Sequence, residues 1–189
     1  AEQVGLDGIA ITDHNHVDGA IKAQRLSRRR GIKVFVGVEV LTEEIGDVLV
    51  FGLKKNFNSV PVSLRRLAKM VEKEGGVMFA AHPFRRHTHA ALWAYFDEER
   101  FDWRHQLELP DELKCLTGVE TFNGGCTPEE NEAAALFAAR FRLRAIGGSD
   151  AHGLWRVGWC ATEFEFPFST DEDLVHALRI GRMRITRTQ

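Results

Sequence analysis

The chain has 189 residues, of which 44% are hydrophobic and 28% are charged, and its formal net charge is -2. This length and composition suit one globular domain whose core is large enough to fold by itself. The near-neutral charge argues against binding of long nucleic acid, and the lack of any long apolar run excludes a membrane-spanning helix.

Short buried runs rich in Ile, Val and Phe alternate along the chain with stretches of helical periodicity. The apolar runs predict strands at 8–12, 33–38, 47–53, 77–81, 118–122 and 144–147. The stretches between them predict helices at 17–30, 63–74, 127–142 and 170–181. This alternation predicts a parallel α/β sheet or barrel in a single domain spanning residues 1–189.

Three segments fall outside this alternation. Residues 85–113 are rich in Arg, His, Trp and acidic residues, and we interpret them as an inserted loop or short helices over one end of the sheet. Residues 1–6 resemble the end of a helix, so we expect further chain upstream. The cysteines, Cys115, Cys126 and Cys160, have neither disulfide nor zinc-finger spacing, which indicates reduced thiols and a cytoplasmic protein.

Side chains that can bind metal ions accompany five of the predicted strands. They are Asp13 with His14, Glu39, His82, Glu120 with Asn123, and Asp150 with His152. The C-terminal ends of barrel strands meet at one mouth, where active sites form. Each residue alone could equally end a strand or cap a helix. Together, imidazoles and carboxylates predict a di- or trinuclear site for Zn²⁺, Mn²⁺ or Fe²⁺, whose bound water ionises to a nucleophilic hydroxide.

Two arginines are candidates for holding a phosphate group. Arg85 lies three residues after His82, where its guanidinium could bind phosphate through two hydrogen bonds. A solvated basic loop is the alternative interpretation. Arg156, which follows the Asp150–His152 segment, is a weaker candidate for the same task.

Four of these segments resemble motifs of the PHP (polymerase and histidinol phosphatase) family. Residues 5–19, GLDGIAITDHNHVDG, resemble its TDH motif, and residues 37–39, GVE, resemble its G-x-E motif. Residues 81–83, AHP, and residues 149–152, SDAH, resemble its AHP and S-D-x-H motifs. The four occur in the family's order and cover almost the whole chain.

The resemblance implies a distorted seven-stranded (β/α) barrel with up to three metal ions at its mouth. It implies that Glu39 and Asp150 bind the first ion, that His14 and His152 bind the second, and that His82 shares Glu39 at the third. The family's first motif, an H-x-H pair on the first strand, has no match before Thr12. We therefore expect a barrel that lacks its first strand. The absence of a histidine at 123–126 leaves a dinuclear site as the alternative.

These features predict a metal-dependent phosphoesterase that hydrolyses a small phosphorylated metabolite or a nucleotide with a metal-activated hydroxide. The predicted metal ligands are His14, Glu39, His82, Asp150 and His152. Asp13 would orient His14, and Arg85 would hold the phosphate. Two alternatives stay open: a non-catalytic module that has lost part of its metal site, and an amidohydrolase-like enzyme that cleaves a C–N bond. The sequence leaves the substrate identity and the oligomeric state open.

Overall fold

The computed structural model describes residues 1–85, 92 and 108–187. Most of the insert predicted at 85–113 therefore lies outside the described residues. Its described end contains a short 3₁₀ helix at Asp111–Leu113. No helix within the described ranges combines the length and the apolar character needed to cross a bilayer.

Six strands form one curled sheet, a half-barrel, in the order in which they occur along the chain. They are β1 (Gly8–Ile11), β2 (Lys33–Thr42), β3 (Gly46–Phe51), β4 (Val77–Ala80), β5 (Gly118–Asn123) and β6 (Arg144–Gly148). A separate antiparallel ribbon contacts β6 and consists of β7 (Cys160–Phe164) and β8 (Met183–Arg187). The described helices are α1 (Asp18–Ser27), α2 (Leu64–Lys73), α3 (Pro128–Phe141) and α4 (Asp171–Ile180). The mixed α/β class is confirmed, whereas the seven-stranded closure of the barrel stays a prediction.

The expectation of a parallel sheet was wrong at β3, which runs antiparallel to both β2 and β4. The connection from Thr42 to Gly46 is a tight hairpin, far too short for the crossover that a parallel neighbour needs. Gly46 has a φ of 76°, and the Thr42 hydroxyl donates to its carbonyl oxygen at 2.7 Å. The reversal places the first residues of β3 at the same end of the sheet as the last residues of β4.

The two faces of the sheet belong to different core clusters. Val36, Val38 and Val40 of β2 pack outward in the cluster that includes residues of α1, α2 and α3. Phe35 packs in a second cluster with residues of α4. Because successive strand residues face opposite sides, Glu39 lies on the same inner face as Phe35. The sheet therefore presents a carboxylate to the concave side of the half-barrel.

Candidate metal centre

Glu39 and His14 are held together by an extension of the β1–β2 pairing. The Glu39 amide donates to the carbonyl oxygen of Asp13 at 3.2 Å, and the Asn15 amide donates to the carbonyl oxygen of Glu39 at 2.8 Å. The His14 Nε2 atom lies 3.6 Å from Glu39 Oε2. Glu39 is only 7% exposed, whereas the His14 side chain is 56% exposed. One oxygen of a buried carboxylate thus faces an accessible imidazole.

His82 lies beside the other oxygen of Glu39, just after β4. Its Nε2 atom is 3.1 Å from Glu39 Oε1 and 3.7 Å from Asp47 Oδ2. Its backbone φ is 28°, in a region that residues with a side chain rarely adopt. Burial lowers the pKa of His82, but the hydrogen bond to Glu39 and the neighbouring carboxylates raise it above its usual value overall. The Nδ1 atom is buried and has no hydrogen-bond partner among the described residues.

Asp47 is the residue of this cluster that the sequence analysis missed. One ligand atom each of His14, Glu39 and Asp47 lie within 4.8 Å of one another. Burial and the nearby Glu39 carboxylate raise the pKa of Asp47. The antiparallel direction of β3 brings Asp47 to the mouth. The available signal in the sequence was an Asp at the start of a strand that follows a short, Gly-containing hairpin.

Glu120 is a buried carboxyl on β5 that supports the backbone of His82. Its Oε2 atom accepts hydrogen bonds from the His82 amide at 2.9 Å and from Asn123 Nδ2 at 2.8 Å. Burial raises the pKa of Glu120 to about 7. Its Oε1 atom would lie 2.5 Å from a Cβ at Gly148, so only glycine leaves room for this carboxyl.

Asp150 is paired with Arg85 across the mouth. Arg85 Nη2 donates to Asp150 Oδ2 at 2.5 Å and to Asn123 Oδ1 at 2.7 Å. Burial would raise the pKa of Asp150, but Arg85 outweighs it and lowers that pKa below the usual value. His152 is 71% exposed, and its Nδ1 atom lies 3.5 Å from Asp150 Oδ1. The two predicted ligands are therefore adjacent, and the predicted phosphate-binding arginine already contacts one of them.

Part of this chain matches a known protein family. A family model described as PHP-associated matches residues 128–183, and the four PHP-like motifs lie together around the mouth of the half-barrel. This part of the chain is similar to the PHP family.

Two uncharacterized proteins of Methanocaldococcus jannaschii are similar to this chain. One is 29% identical over 84 residues, which are 44% of this chain and 48% of that protein. The other is 28% identical over 170 residues, which are 87% of this chain and 61% of that protein. The chain thus spans only about half to three-fifths of the length of these curated relatives.

Three solved structures share the fold at low sequence identity. PsfC from Pseudomonas syringae has a TM-score of 0.68 and 20% identity over 98% of this chain and 79% of that chain. A two-domain Bacteroides vulgatus protein is described as containing a predicted PHP-like metal-dependent phosphoesterase. It has a TM-score of 0.71 and 19% identity over 97% of this chain and 56% of that chain. An amidohydrolase from Chromobacterium violaceum with bound sulfate has a TM-score of 0.60 and 16% identity over 100% of this chain and 90% of that chain.

Two other candidates from the sequence, Asp13 and Arg156, contact other groups. The Asp13 carboxylate is exposed and faces Gly19, where a Cβ would lie 2.5 Å from it. Asp13 joins the site through its carbonyl oxygen, and its role in orienting His14 stays a prediction. The guanidinium of Arg156 lies over the rings of Trp155 and Trp159, at 4.8 and 5.6 Å from their centroids.

The donors at the mouth suit a divalent cation. Two imidazoles and two carboxylates converge there, and this mixture is preferred by Zn²⁺, Mn²⁺ and Fe²⁺. The buried Nδ1 atom of His82, without a partner among the described residues, indicates an incomplete polar environment. The mouth opens into a cavity of about 1070 Å³ that also reaches the apolar residues Phe35 and Leu174. A substrate of metabolite size would have room beside the cluster.

Proposed function

We propose that this chain provides the metal-binding and catalytic part of a phosphoesterase that acts on a small phosphorylated metabolite or a nucleotide. The observation that carries the proposal is the convergence of His14, Glu39, Asp47 and His82 beside a large cavity. The similarity of residues 128–183 to the PHP-associated family model supports a metal-dependent hydrolase. The Bacteroides vulgatus protein of similar fold, with its PHP-like phosphoesterase description, supports the choice of phosphate esters.

Five residues would hold two or three ions of Zn, Mn or Fe: His14, Glu39, His82, Asp150 and His152. When bound, such ions supply a water that is ionised near neutral pH and can attack phosphorus. Glu39 is central because its two carboxylate oxygens face different imidazoles, Oε2 towards His14 and Oε1 towards His82. Removal of this carboxylate should therefore weaken metal binding both at His14 and at His82.

The remaining polar residues would position these ligands and the substrate. Glu120 holds the His82 amide, and Asn123 holds both Glu120 and Arg85. Arg85 contacts Asn123 and Asp150 through Nη2. Its guanidinium would also bind the phosphate oxygens of the substrate, where its positive charge stabilises the negative charge that develops during attack.

We propose that the half-barrel lacks the first strand of a PHP-type barrel, which carries the H-x-H pair. In the described residues, β1 pairs with β2 on one edge only. The other edge of β1 presents backbone groups with which such a strand could pair.

A non-catalytic PHP module is the second candidate function. The ion pair between Arg85 and Asp150 favours it, because a guanidinium already neutralises a carboxylate that a metal ion would otherwise use. Cleavage of a C–N bond is the remaining enzymatic alternative. It is favoured only by the fold that the chain shares with the Chromobacterium violaceum amidohydrolase.

Hydrolysis assays on the chelator-treated chain, resupplied with Mn²⁺, distinguish these functions. The substrates are bis-p-nitrophenyl phosphate and a panel of p-nitroanilides. We expect hydrolysis of the phosphodiester only, with a loss on the order of 100-fold in Glu39→Gln and no loss in the exposed control Glu132→Gln. Anilide cleavage alone would favour the amidohydrolase. Bound Mn²⁺ without any hydrolysis would favour the non-catalytic module.

A further inference from the structure

We propose that Trp155 determines which phosphate esters bind at the mouth, by stacking on the base of a nucleotide. The proposed function leaves open whether the substrate is a nucleotide or another small phosphorylated metabolite. This inference rests on that proposed function and selects the nucleotide. It also assigns a substrate-binding role to a residue that lies outside the metal-binding motifs.

Trp155 lies on the loop between β6 and β7, shortly after two of the proposed metal ligands. This loop begins with the segment that contains Asp150 and His152. Residues 149–152 and 157–158 line the cavity at the mouth. The residues between these two ranges therefore form the outer lip of the cavity, beside the place where the phosphate of a substrate would bind.

Trp155 is an exposed aromatic residue whose neighbours restrict its position. It is 65% exposed, and the guanidinium of Arg156 lies 4.8 Å from the centroid of its ring. The ring of Trp159 meets it edge-on, with 5.2 Å between the centroids. The indole Nε1 atom lies 2.8 Å from the position of a Cβ at Gly153, so the ring lies against the backbone next to His152. These contacts lower the entropic cost of stacking a ligand on the indole.

The guanidinium of Arg156 adds a positive charge beside the exposed ring. Its Cζ atom lies over Trp155 and also over Trp159, at 5.6 Å from the centroid of the second ring. A nucleotide combines a flat base with a negatively charged phosphate, so it complements an indole beside a cation. Stacking of a base on an aromatic side chain strengthens binding by about 10-fold or more. The lip therefore suits a nucleotide better than a phosphate ester without a ring.

The small area of the apolar surface at this lip argues against a protein partner. Trp155 and its neighbour Leu154, which is 93% exposed, are the large apolar side chains exposed there. The other exposed large apolar side chains in the described ranges lie on other segments of the chain: Val4, Leu26, Val60, Leu136 and Ile180. A stable protein interface needs about 800 Å² from each partner, which is far more than two side chains offer. A single planar base matches one indole.

The test compares the binding of adenosine 5′-monophosphate and of ribose 5-phosphate to the purified chain by titration calorimetry. The two ligands share the phosphate and the sugar, and they differ in the base. We expect the wild type to bind the nucleotide at least about 10-fold more tightly. Trp155→Ala should reduce this ratio to less than about 2-fold, whereas Trp155→Phe, which keeps an aromatic ring, should retain most of it. The exposed control Leu136→Ala on α3 should leave the ratio unchanged.

The same preference for the nucleotide in the wild type and in Trp155→Ala would overturn the inference, as would a wild type without this preference. Urea unfolding of each variant shows whether it is folded, and Trp155→Gln provides a second variant without the ring. Hydrolysis of bis-p-nitrophenyl phosphate is measured separately on the same samples. Base-dependent binding that requires Trp155 but is accompanied by no hydrolysis would overturn only the proposed function. Hydrolysis with equal binding of the two ligands would overturn only this inference.

Discussion

Replacement of Glu120 by glutamine should stabilise the metal-free protein above neutral pH. Burial raises the pKa of this carboxyl from 4.5 to about 7. A pKa that is higher in the folded state than in the unfolded state gives stability that is fully present below pH 4.5. That stability is lost as the pH rises through about 7. The difference between the two pKa values corresponds to about 3 kcal/mol, which is the largest penalty that ionisation of Glu120 can impose at pH 8.

The glutamine side chain can keep the contacts that hold His82. Both hydrogen bonds to Glu120, from the His82 amide and from Asn123 Nδ2, reach the same oxygen, Oε2. An amide oxygen can accept both, and glutamine does not ionise. We therefore expect Glu120→Gln to match the wild type near pH 4.5. At pH 8 its free energy of unfolding should be higher by up to about 3 kcal/mol.

The assay is urea unfolding followed by tryptophan fluorescence, with a chelator present, at pH 5 and at pH 8. With a urea dependence of about 2 kcal/mol per molar, the unfolding midpoint of Glu120→Gln should rise by up to about 1.5 M at pH 8. Glu132→Gln, an exposed substitution on α3, should shift it by less than about 0.3 M at both pH values. A shift for Glu120→Gln that is equal at the two pH values, or negative at pH 8, would show that ionisation of Glu120 does not destabilise the folded chain.

Three further substitutions test the packing that positions the mouth, each by urea unfolding. Burial would raise the pKa of Asp171, but hydrogen bonds, first of all from Lys54, lower it overall. Its stabilising contribution is therefore present above pH 3.8 and lost as the pH falls through the lowered folded pKa. Asp171→Asn should cost about 2 kcal/mol at pH 7 and less below pH 3.8; a cost independent of pH would contradict this. Gly118→Ala should lower the free energy of unfolding by more than about 2 kcal/mol because the new Cβ overlaps the carbonyl oxygen of Arg144. An unchanged free energy of unfolding would contradict this overlap. Phe79→Ala should cost about 3 to 5 kcal/mol because the ring is fully buried, and a cost under about 1 kcal/mol would be inconsistent with that burial.

Most elements of the half-barrel could be predicted because their local signals agree with their tertiary positions. The apolar runs at 8–12, 33–38 and 77–81 became β1, β2 and β4. The capping box at Thr127, with Pro128 after it, begins α3 as expected. The hydrophobic periodicity of a buried strand and the capping residues of a helix lie within the element itself. These elements could therefore be predicted without knowing which other elements pack against them.

The ribbon of β7 and β8 was not predicted because each strand has only five residues, so its alternation of apolar and polar side chains is short. Its exposed face carries a charged pair, Glu163 and Arg184, whose Oε1 and Nη2 atoms lie 2.8 Å apart. Five-residue strands with such residues resemble loops when they are considered one at a time. Their identity as strands depends on each other and on contacts with β6.

The candidate site likewise contains residues that the sequence could predict and contacts that it could not. The motifs that contain His14, Glu39 and His82 indicate a shared mouth, and the structure brings these three side chains together. Asp47 was missed because strand direction depends on pairing, which a pattern of apolar residues does not encode. The contact between Arg85 and Asp150 joins residues 65 positions apart, so only the folded chain reveals it.

The metal content of the purified chain shows whether a cluster built around Glu39 holds a divalent metal ion. The purified chain and its Glu39→Gln variant are analysed by plasma mass spectrometry without added chelator. We expect at least about one equivalent of Zn, Mn or Fe in the wild type and less than about 0.1 in the variant. Less than about 0.3 equivalents in the wild type, or equal metal content in the two proteins, would contradict it.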